Sequence, residues 1–244
     1  MSAPLLEVDA ISKRFRGLQA VDRVSFSVPR GAIIGLIGPN GAGKTTIFNM
    51  IAGVFAPDSG SIRLDGNDIT RLRPDQTCRA GIGRTFQLVK PFAALSVLEN
   101  VVIGAFRQSE NLAKAERLAM QTLERLGLAD KASEVASSLT LPERKRLETA
   151  RALATAPKLL LLDEVMAGLR PTEIDAMVRF FSELCRDTGL TILLTEHVMR
   201  AVMALSHHIV VVHHGQKICE GSPQEVAHDP KVLECYLGST QAGA

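Results

Sequence analysis

The residues with the clearest chemical meaning form a glycine-rich stretch near the start of the chain. Residues 38–46 match the pattern G-x-x-x-x-G-K-[ST] in full. Glycines there let backbone N–H groups surround a phosphate, and the N-terminus of a following helix adds positive potential. Lys44 is expected to reach the β- and γ-phosphates of a nucleotide, and the Thr45 hydroxyl to bind Mg²⁺. The predicted phosphate-binding residues are Gly38, Pro39, Asn40, Gly41, Ala42, Gly43, Lys44, Thr45 and Thr46.

A second stretch, residues 159–164, reads Leu-Leu-Leu-Leu-Asp-Glu. A buried strand of this kind delivers its last residues to the carboxyl edge of a sheet, where ligands bind in open α/β folds. Asp163 is predicted to hold the Mg²⁺ shell. Glu164 is predicted to orient or deprotonate a water aimed at the γ-phosphate.

His197 follows a third apolar run, residues 191–195. A histidine at such a strand end can donate a hydrogen bond to a γ-phosphate oxygen and so respond to its presence. The sequence around His197 alone favours a hydrogen-bonded surface histidine.

Short apolar runs must position these residues. Continuous apolar runs are typical of strands buried on both faces of a parallel sheet, and alternating runs of strands with one buried face. The sequence predicts parallel strands at 32–37, 159–163, 191–195 and 209–212, alternating strands at 6–9, 24–28 and 61–64, and helices at 43–52 and 171–188.

The middle of the chain has a helical pattern. Residues 95–126 carry an apolar face, Gly127 is a predicted C-terminal cap, and a further helix is predicted over 142–154. The predicted face consists of Leu112, Ala115, Leu118, Ala119, Thr122, Leu123 and Leu126. Because strand–helix alternation resumes afterwards, we expect an α/β core interrupted by a helical subdomain.

Composition limits the function classes. Twenty-eight Lys and Arg against 26 Asp and Glu give a net charge of +2, too balanced for a protein held mainly by nucleic-acid phosphates. With no Trp and one Tyr, stacking on bases has little support. The four cysteines form no Cys-x-x-Cys pair, which favours reduced thiols in a cytoplasm. No apolar run approaches the roughly 20 residues of a membrane span, so any membrane role is expected to come through a partner.

Together these motifs resemble the ATP-binding cassette family, the ATPase subunits of ABC transporters. The resemblance covers nearly the whole chain and implies a P-loop NTPase (RecA-like) core with an antiparallel β subdomain and an inserted α-helical subdomain. It implies ATP and Mg²⁺ as ligands. Phe15 matches the aromatic residue that stacks on adenine, Gln87 the glutamine that contacts Mg²⁺ and water, and His197 the switch histidine. The expected division is 1–90, 91–155 and 156–244.

Within the family, several phrases resemble the ATPases of branched-chain and hydrophobic amino-acid importers. Examples are Gly-Arg-Thr-Phe-Gln at 83–87, Thr-Glu-His-Val-Met at 195–199 and the ending Tyr-Leu-Gly at 236–238. The implied partners are transmembrane permease subunits, a second ABC ATPase subunit and, indirectly, a periplasmic solute-binding protein, with no nucleic acid. The implied location is the cytoplasmic face of the inner membrane. Lipopolysaccharide-export ATPases share several of these phrases and stay an alternative.

The sequence departs from the family at its signature, usually Leu-Ser-Gly-Gly-Gln. Residues 139–143 read Leu-Thr-Leu-Pro-Glu. In the family this segment completes the ATP site of the opposite subunit, so the resemblance implies that Thr140 contacts nucleotide in trans. Pro142 lacks the N–H that glycine would offer. We therefore hypothesise that the site completed by this signature binds or hydrolyses ATP less well than the site completed by the partner's signature. A family variant with compensating contacts is an equal alternative.

Other signals are discounted. His207, His208, His213 and His214 bracket a predicted strand, but alternate side chains point to opposite faces, so a solvated rim is favoured over a metal site. The run Arg-Lys-Arg at 144–146 is expected to be a solvated helix face, with proximity to the membrane partner or the nucleotide as alternatives. A soluble ABC ATPase acting on DNA or ribosomes, and a regulatory cassette that hardly cleaves ATP, are the rival functions.

Overall fold

The computed structural model describes residues 3–87 and 91–237. The expected boundary at residue 90 and Gly238 of the Tyr-Leu-Gly ending lie outside these residues. The strands in the described part are β1 (Leu6–Phe15), β2 (Leu18–Val28), β3 (Ile33–Ile37), β4 (Ser59–Leu64), β5 (Asn67–Asp68), β6 (Ile82–Arg84), β7 (Leu159–Asp163), β8 (Thr191–Thr195), β9 (His208–His213) and β10 (Gln216–Gly221).

Helices separate many of these strands. In the described part of the chain they are α1 (Lys44–Ile51), α2 (Pro74–Ala80), α3 (Val97–Ala105), α4 (Leu112–Arg125), α5 (Leu141–Ala154), α6 (Pro171–Thr188), α7 (Met199–Leu205), α8 (Pro223–His228) and α9 (Pro230–Leu237). None of the helices within 3–87 and 91–237 combines the length and apolar character needed to cross a bilayer.

The strands form two sheets. The smaller is antiparallel, in the order β2-β1-β4-β5, and the larger has the order β10-β9-β3-β8-β7-β6. In the larger sheet β9, β3, β8, β7 and β6 run parallel, while β10 pairs antiparallel with β9. The predicted α/β core with an added antiparallel sheet is confirmed.

Burial explains the apolar runs. Every residue of β3, β7 and β8 is buried. Along β7, Leu161 packs into a core shared with α1 and the antiparallel sheet, whereas Leu160 and Leu162 pack into a core shared with α6. Helices cover both faces, so both sets of alternating side chains must be apolar. The charged last residue, Asp163, therefore emerges at the carboxyl edge.

The helical region has its own core, formed by residues from within 97–154. The helical pattern predicted over 95–126 corresponds to two separate helices, α3 and α4. Asn111 begins α4 by accepting a hydrogen bond from the Lys114 N–H at 3.0 Å. Leu112, predicted on the apolar face, is 56% exposed because it lies in the first turn. Gly127, at φ +63°, follows the end of α4 as predicted.

Candidate active site

The phosphate loop connects β3 to α1 in the predicted strand–turn–helix context. Gly38 has φ +154°, and a Cβ there would lie 2.0 Å from the Val212 carbonyl oxygen. Gly43 has φ +104°, and its Cβ would lie 2.6 Å from the Ala20 carbonyl oxygen. Side chains at either position would collide with backbone, so the close approach of neighbouring segments requires glycine.

Lys44 begins α1 and lies within the loop. It is buried, and its Nζ donates hydrogen bonds to the carbonyl oxygens of Gly38 (2.7 Å) and Pro39 (2.9 Å). Burial lowers the pKa of the Lys44 ammonium, and the attraction of Glu164 and Asp163 opposes that shift. The loop is thus folded around its own cation, in a shape suited to an anionic ligand.

An open cleft of about 560 Å³ lies over the phosphate loop. Its lining brings together most of the predicted site residues: Phe15, Asn40, Gly41, Ala42, Gly43, Lys44, Thr45, Thr46, Gln87, Glu164 and His197. Phe15 is 42% exposed and packs edge-on against Phe55, with ring centroids 5.3 Å apart. An exposed aromatic face at the rim of this cleft suits stacking on a planar base.

The side chain of Glu164 contacts the other two predicted catalytic residues. Gln87 Nε2 donates to Glu164 Oε2 at 2.7 Å, and His197 Nε2 lies 2.8 Å from Glu164 Oε1. The Glu164 N–H donates to the Thr195 carbonyl at 2.9 Å, which joins the ends of β7 and β8. Since the two strands are parallel neighbours, their following residues arrive at one edge. The structure therefore brings Gln87, Glu164 and His197 together.

Asp163 is buried and its oxygens already have protein donors. Arg84 donates to Oδ2 at 3.0 Å, and the Thr195 hydroxyl donates to Oδ1 at 2.9 Å. Arg84 also donates to the Asn49 side chain at 2.7 Å. Sequence reasoning missed Arg84, although it lies within the Gly-Arg-Thr-Phe-Gln phrase. Its guanidinium compensates the buried carboxylate charge of Asp163.

The predicted Mg²⁺ ligands offer the oxygen atoms that this hard cation prefers. Thr45 and Gln87 line the cleft, with Asp163 directly before Glu164. Because both Asp163 oxygens accept hydrogen bonds, Asp163 fits a role through metal-bound water better than a direct bond. Within residues 3–87 and 91–237, no three His, Cys, Asp or Glu side chains are grouped to hold a metal ion by themselves. His207, one of the discounted histidines, accepts the Ile33 N–H at 2.9 Å.

The expectation that residues 144–146 form a solvated face is wrong at Lys145. That side chain is 5% exposed, and its Nζ donates to the Glu164 carbonyl oxygen at 2.9 Å. Nearby, Glu196 is 2% exposed and accepts the Met166 N–H at 2.6 Å. Burial raises the pKa of Glu196 to about 7, although the Met166 hydrogen bond and the charge of Lys145 act in the opposite direction. The position of Lys145 agrees with the alternative that the basic run lies near the nucleotide, whereas the sequence had given Glu196 no role.

Thr140 lies away from the cleft, at the start of α5. Its N–H and its hydroxyl both donate to Glu143 Oε2, at 2.8 and 2.7 Å. Lys131 pairs with the other Glu143 oxygen at 2.9 Å. The hydrogen bond from the Thr140 hydroxyl, then the one from Lys131, lower the pKa of Glu143 to about 2. The hydroxyl predicted to act in trans is thus occupied within its own chain.

Tyr236 of α9 reaches the phosphate loop from the other end of the chain. The Tyr236 phenol lies next to the Gly38 backbone. Partial burial raises the pKa of Tyr236 to about 12, and the adjacent Gly38 backbone opposes that rise. The last described helix therefore contacts the first residue of the loop.

Two family models match the chain. The model described as "ABC transporter" matches residues 21–167, and the one described as "Branched-chain amino acid ATP-binding cassette transporter" matches residues 216–242. The first covers the phosphate loop, Gln87, Asp163 and Glu164. The second covers β10, α8 and α9, the part of the chain that contains the start of the Tyr-Leu-Gly ending.

Individual proteins are similar over nearly their full length. The chain is 38% identical to the "High-affinity branched-chain amino acid transport ATP-binding protein BraF" of Pseudomonas aeruginosa and 39% identical to LivG, of the same description, of Escherichia coli K12. Each alignment covers 98% of this chain and 99% of the relative. The "Lipopolysaccharide export system ATP-binding protein LptB" of E. coli K12 is 37% identical over 93% of this chain and 95% of LptB.

A solved structure has the same fold. The ADP conformation of MJ1267, an ATP-binding cassette of an ABC transporter, superimposes with a TM-score of 0.88 at 33% identity. The match covers 97% of this chain and all of that one.

Proposed function

Because the chain belongs to the ABC transporter family of ATP-hydrolysing subunits, we propose that Glu164 is the group at which hydrolysis takes place. The observation that carries this proposal is the convergence of Gln87 and His197 on the Glu164 carboxylate beside the phosphate loop. A carboxylate held by two hydrogen bonds is fixed in orientation. In phosphoryl transfer, a group of this kind orients the attacking water.

Each residue then has a distinct role. Backbone N–H groups of residues 38–46 and the Lys44 ammonium bind the phosphates, and Phe15 stacks on the adenine. Thr45, Gln87 and Asp163 would hold Mg²⁺, which neutralises charge on the phosphate oxygens when bound. Glu164 accepts a proton from water as the water oxygen bonds to the γ-phosphorus and the bond from that phosphorus to the bridging oxygen breaks. When nucleotide is bound, His197 would donate to a γ-phosphate oxygen in place of its contact with Glu164.

We further propose that the hydrolysis powers an importer for branched-chain or related amino acids. BraF and LivG support this solute class, and so does the family model that matches residues 216–242. LptB is nearly as similar, so export of lipopolysaccharide is the second candidate. Purification from membranes of the host, followed by identification of the co-purified permease, distinguishes the two. Recovery with a lipopolysaccharide-export permease would contradict the amino-acid proposal.

The partners follow from that role. We propose that the chain pairs head to tail with a second ATPase subunit, so that Thr140 and its neighbours complete the partner's nucleotide site. The pair would be held on the cytoplasmic face of the membrane by permease subunits, with a periplasmic solute-binding protein supplying the solute. We propose that the permease and the solute-binding protein select the solute, since the cleft over the phosphate loop is lined by the residues proposed to hold nucleotide.

A groove of about 310 Å³ is the surface we assign to the permease. It lies between the helical region and the core, with Val54, Phe86 and Ile103 in its lining. These three side chains are 52%, 54% and 43% exposed, an apolar surface that favours a protein partner. Phe86 directly precedes Gln87, so a permease segment in this groove would be adjacent to a residue that holds Glu164.

Replacement of Glu164 tests the proposal. We expect Glu164→Gln to bind ATP with unchanged affinity but to lower kcat at least a hundredfold, because the amide cannot accept the proton. Lys44→Ala should instead abolish ATP binding. Binding of labelled ATP and steady-state phosphate release in the assembled complex measure the two effects.

Matched controls use exposed helical positions. Glu183→Gln on α6 and Lys114→Ala on α4 make the same chemical changes far from the cleft and should behave as the wild type. Normal turnover by Glu164→Gln would remove Glu164 from the catalytic role.

A further inference from the structure

The backbone around Glu164 is held from two sides by buried charged groups. Lys145 Nζ donates to the Glu164 carbonyl oxygen, and Glu196 Oε1 accepts the N–H of Met166 two residues later. The backbone of Glu164 has φ +51°, in the left-handed region that residues other than glycine rarely adopt. A conformation of this kind persists only where its surroundings enforce it. Lys145 and Glu196 supply two of the constraints.

We propose that Lys145 is a positioning residue for the catalytic carboxylate of Glu164. The proposal rests on the role proposed above for Glu164. By fixing the carbonyl of Glu164, Lys145 fixes the peptide plane that follows the residue and hence the direction of its side chain. In the observed direction the carboxylate oxygens contact both Gln87 and His197.

The burial of Lys145 supports a functional rather than a packing role. An ammonium group is costly to remove from water unless anionic groups surround it. Glu196, Glu148 and Glu164 all attract it, and Oε2 of Glu196 is buried with no hydrogen-bond partner among the described residues. Methionine would fill the same volume without that cost. A buried cation in an acidic cluster beside a reacting group is typical of functional sites.

The position of Lys145 on α5 connects Glu164 with the segment proposed to complete the partner's nucleotide site. Thr140, at the start of the same helix, is the residue assigned to the partner's nucleotide. Lys145 lies five residues further on, about 7.5 Å along the helix axis. A movement of α5 caused by nucleotide at the partner's site would therefore be transmitted to Glu164 of this chain through one hydrogen bond.

The test uses the assembled complex, with the partner ATPase's own catalytic glutamate replaced by glutamine, so that the partner's site still binds ATP but only this chain's site turns over. We expect Lys145→Met to lower kcat about tenfold or more and to leave the KM for ATP within twofold, because a displacement of about 1 Å at a reacting group can cost a hundredfold in rate. Lys145→Arg should restore part of the lost rate. Arg146→Met, the neighbouring change on α5, should have the activity of the wild type.

A double-variant comparison separates positioning from general damage. If Lys145 acts through Glu164, adding Lys145→Met to Glu164→Gln should lower single-turnover hydrolysis no further. Should Lys145→Met unfold, Lys145→Met/Glu196→Gln removes the uncompensated buried charge and should fold, bind ATP and show the same loss of kcat.

The proposal is overturned by a wild-type kcat in either folded variant, by a loss confined to KM, or by equal losses with and without Glu164→Gln. Normal turnover by Glu164→Gln alone would instead refute the function proposed for Glu164. The two failures are therefore distinguishable.

Discussion

Glu148 is a buried carboxyl group on α5 that the proposed hydrolysis does not use. It is 6% exposed and accepts the Phe86 N–H at 2.9 Å. Burial raises its pKa to about 7; the Phe86 hydrogen bond and the charges of Arg151 and Lys145 oppose the shift, and Asp163 reinforces it. The folded protein therefore binds a proton at Glu148 more tightly than the unfolded chain does.

This linkage has a definite sign. The pKa of Glu148 is higher in the folded state than in the unfolded state. Its contribution to the free energy of unfolding is therefore fully present below about pH 4.5 and is lost as the pH rises through about 7. Glu148→Gln should remove this pH-dependent loss of stability, and the glutamine side-chain oxygen should still accept a hydrogen bond from the Phe86 N–H. We expect the variant to exceed the wild type by about 2 kcal/mol in free energy of unfolding at pH 8 and to match it at pH 5. Urea denaturation at both pH values, with Glu183→Gln as control, measures the difference; a pH-independent difference would contradict the assignment.

At the residue scale, the sequence predicted features formed by residues close together in the chain and missed contacts between residues far apart in it. The phosphate loop was found because its chemistry requires fixed residue types at fixed spacing within nine residues. Lys145 was misplaced because nothing between Arg144 and Arg146 distinguishes it, whereas its burial depends on Glu164, nineteen positions later. Arg84 was missed for the same reason, since its partner Asp163 is seventy-nine positions away.

Gly104 shows how closely two helices of the helical region approach. It lies in α3, and a Cβ there would lie 2.4 Å from the Arg151 carbonyl oxygen and 3.2 Å from the Ala154 Cβ, both on α5. The first distance involves backbone, so it can be relieved only by moving one helix. Glycine is therefore needed at this position despite its low helix propensity.

We expect Gly104→Ala to destabilise the protein by about 2 kcal/mol, since overpacking costs 1–3 kcal/mol and outweighs the helical gain. For a chain of this size that lowers Tm by roughly 4–8 °C. Thermal unfolding followed by circular dichroism measures it. Gly17→Ala is the matched control, because a Cβ at Gly17 has no neighbour within 4 Å. A Tm for Gly104→Ala equal to that of the control would show that α3 and α5 separate freely.

Among the elements, long periodic segments were predicted best. Helix α6 has the predicted bounds, Pro171–Thr188, because Pro171 opens it and Gly189 ends it at φ +68°. The break between α3 and α4 coincides with five consecutive polar residues, 107–111, which interrupt the apolar spacing of the helical pattern. Strands β6 and β10 were not assigned: β6 has three residues, and β10 is mostly half-buried or exposed. Only their pairing with β7 and β9 makes them strands.

The start of α5 affects the complete assembly rather than this chain alone. In the proposed head-to-tail dimer it faces the partner's nucleotide, and there it carries Pro142, which has no N–H, and the ionised Glu143. Both features disfavour a bound phosphate compared with the glycine and glutamine of the usual signature. The two sites of the dimer are therefore expected to be unequal.

Pro142→Gly tests this inequality by restoring a backbone donor. With this chain's own site silenced by Glu164→Gln, we expect ATP hydrolysis at the partner's site to rise about tenfold, since a hydrogen bond to a charged group contributes about 1.5–3 kcal/mol. Phosphate release by the assembled complex is the measurement. Pro223→Gly, at the start of α8, makes the same change outside the lining of the cleft and should leave the rate unaltered. An unchanged rate in Pro142→Gly would favour compensating contacts.

At the scale of the whole molecule, the order and spacing of the motifs were enough to predict the P-loop fold, which the similarity to MJ1267 confirms. The division at residues 90 and 155 stays a prediction. The contact between α9 and the phosphate loop could not be predicted, because Tyr236 and Gly38 are joined only by folding.

That contact gives the protein a natural optical reporter. The chain has one tyrosine and no tryptophan, so its ultraviolet fluorescence comes from Tyr236. The phenol lies next to the Gly38 backbone. We therefore expect its emission to respond to the shape of the turn that holds the triphosphate, so that nucleotide entry could be followed on the unlabelled wild-type chain.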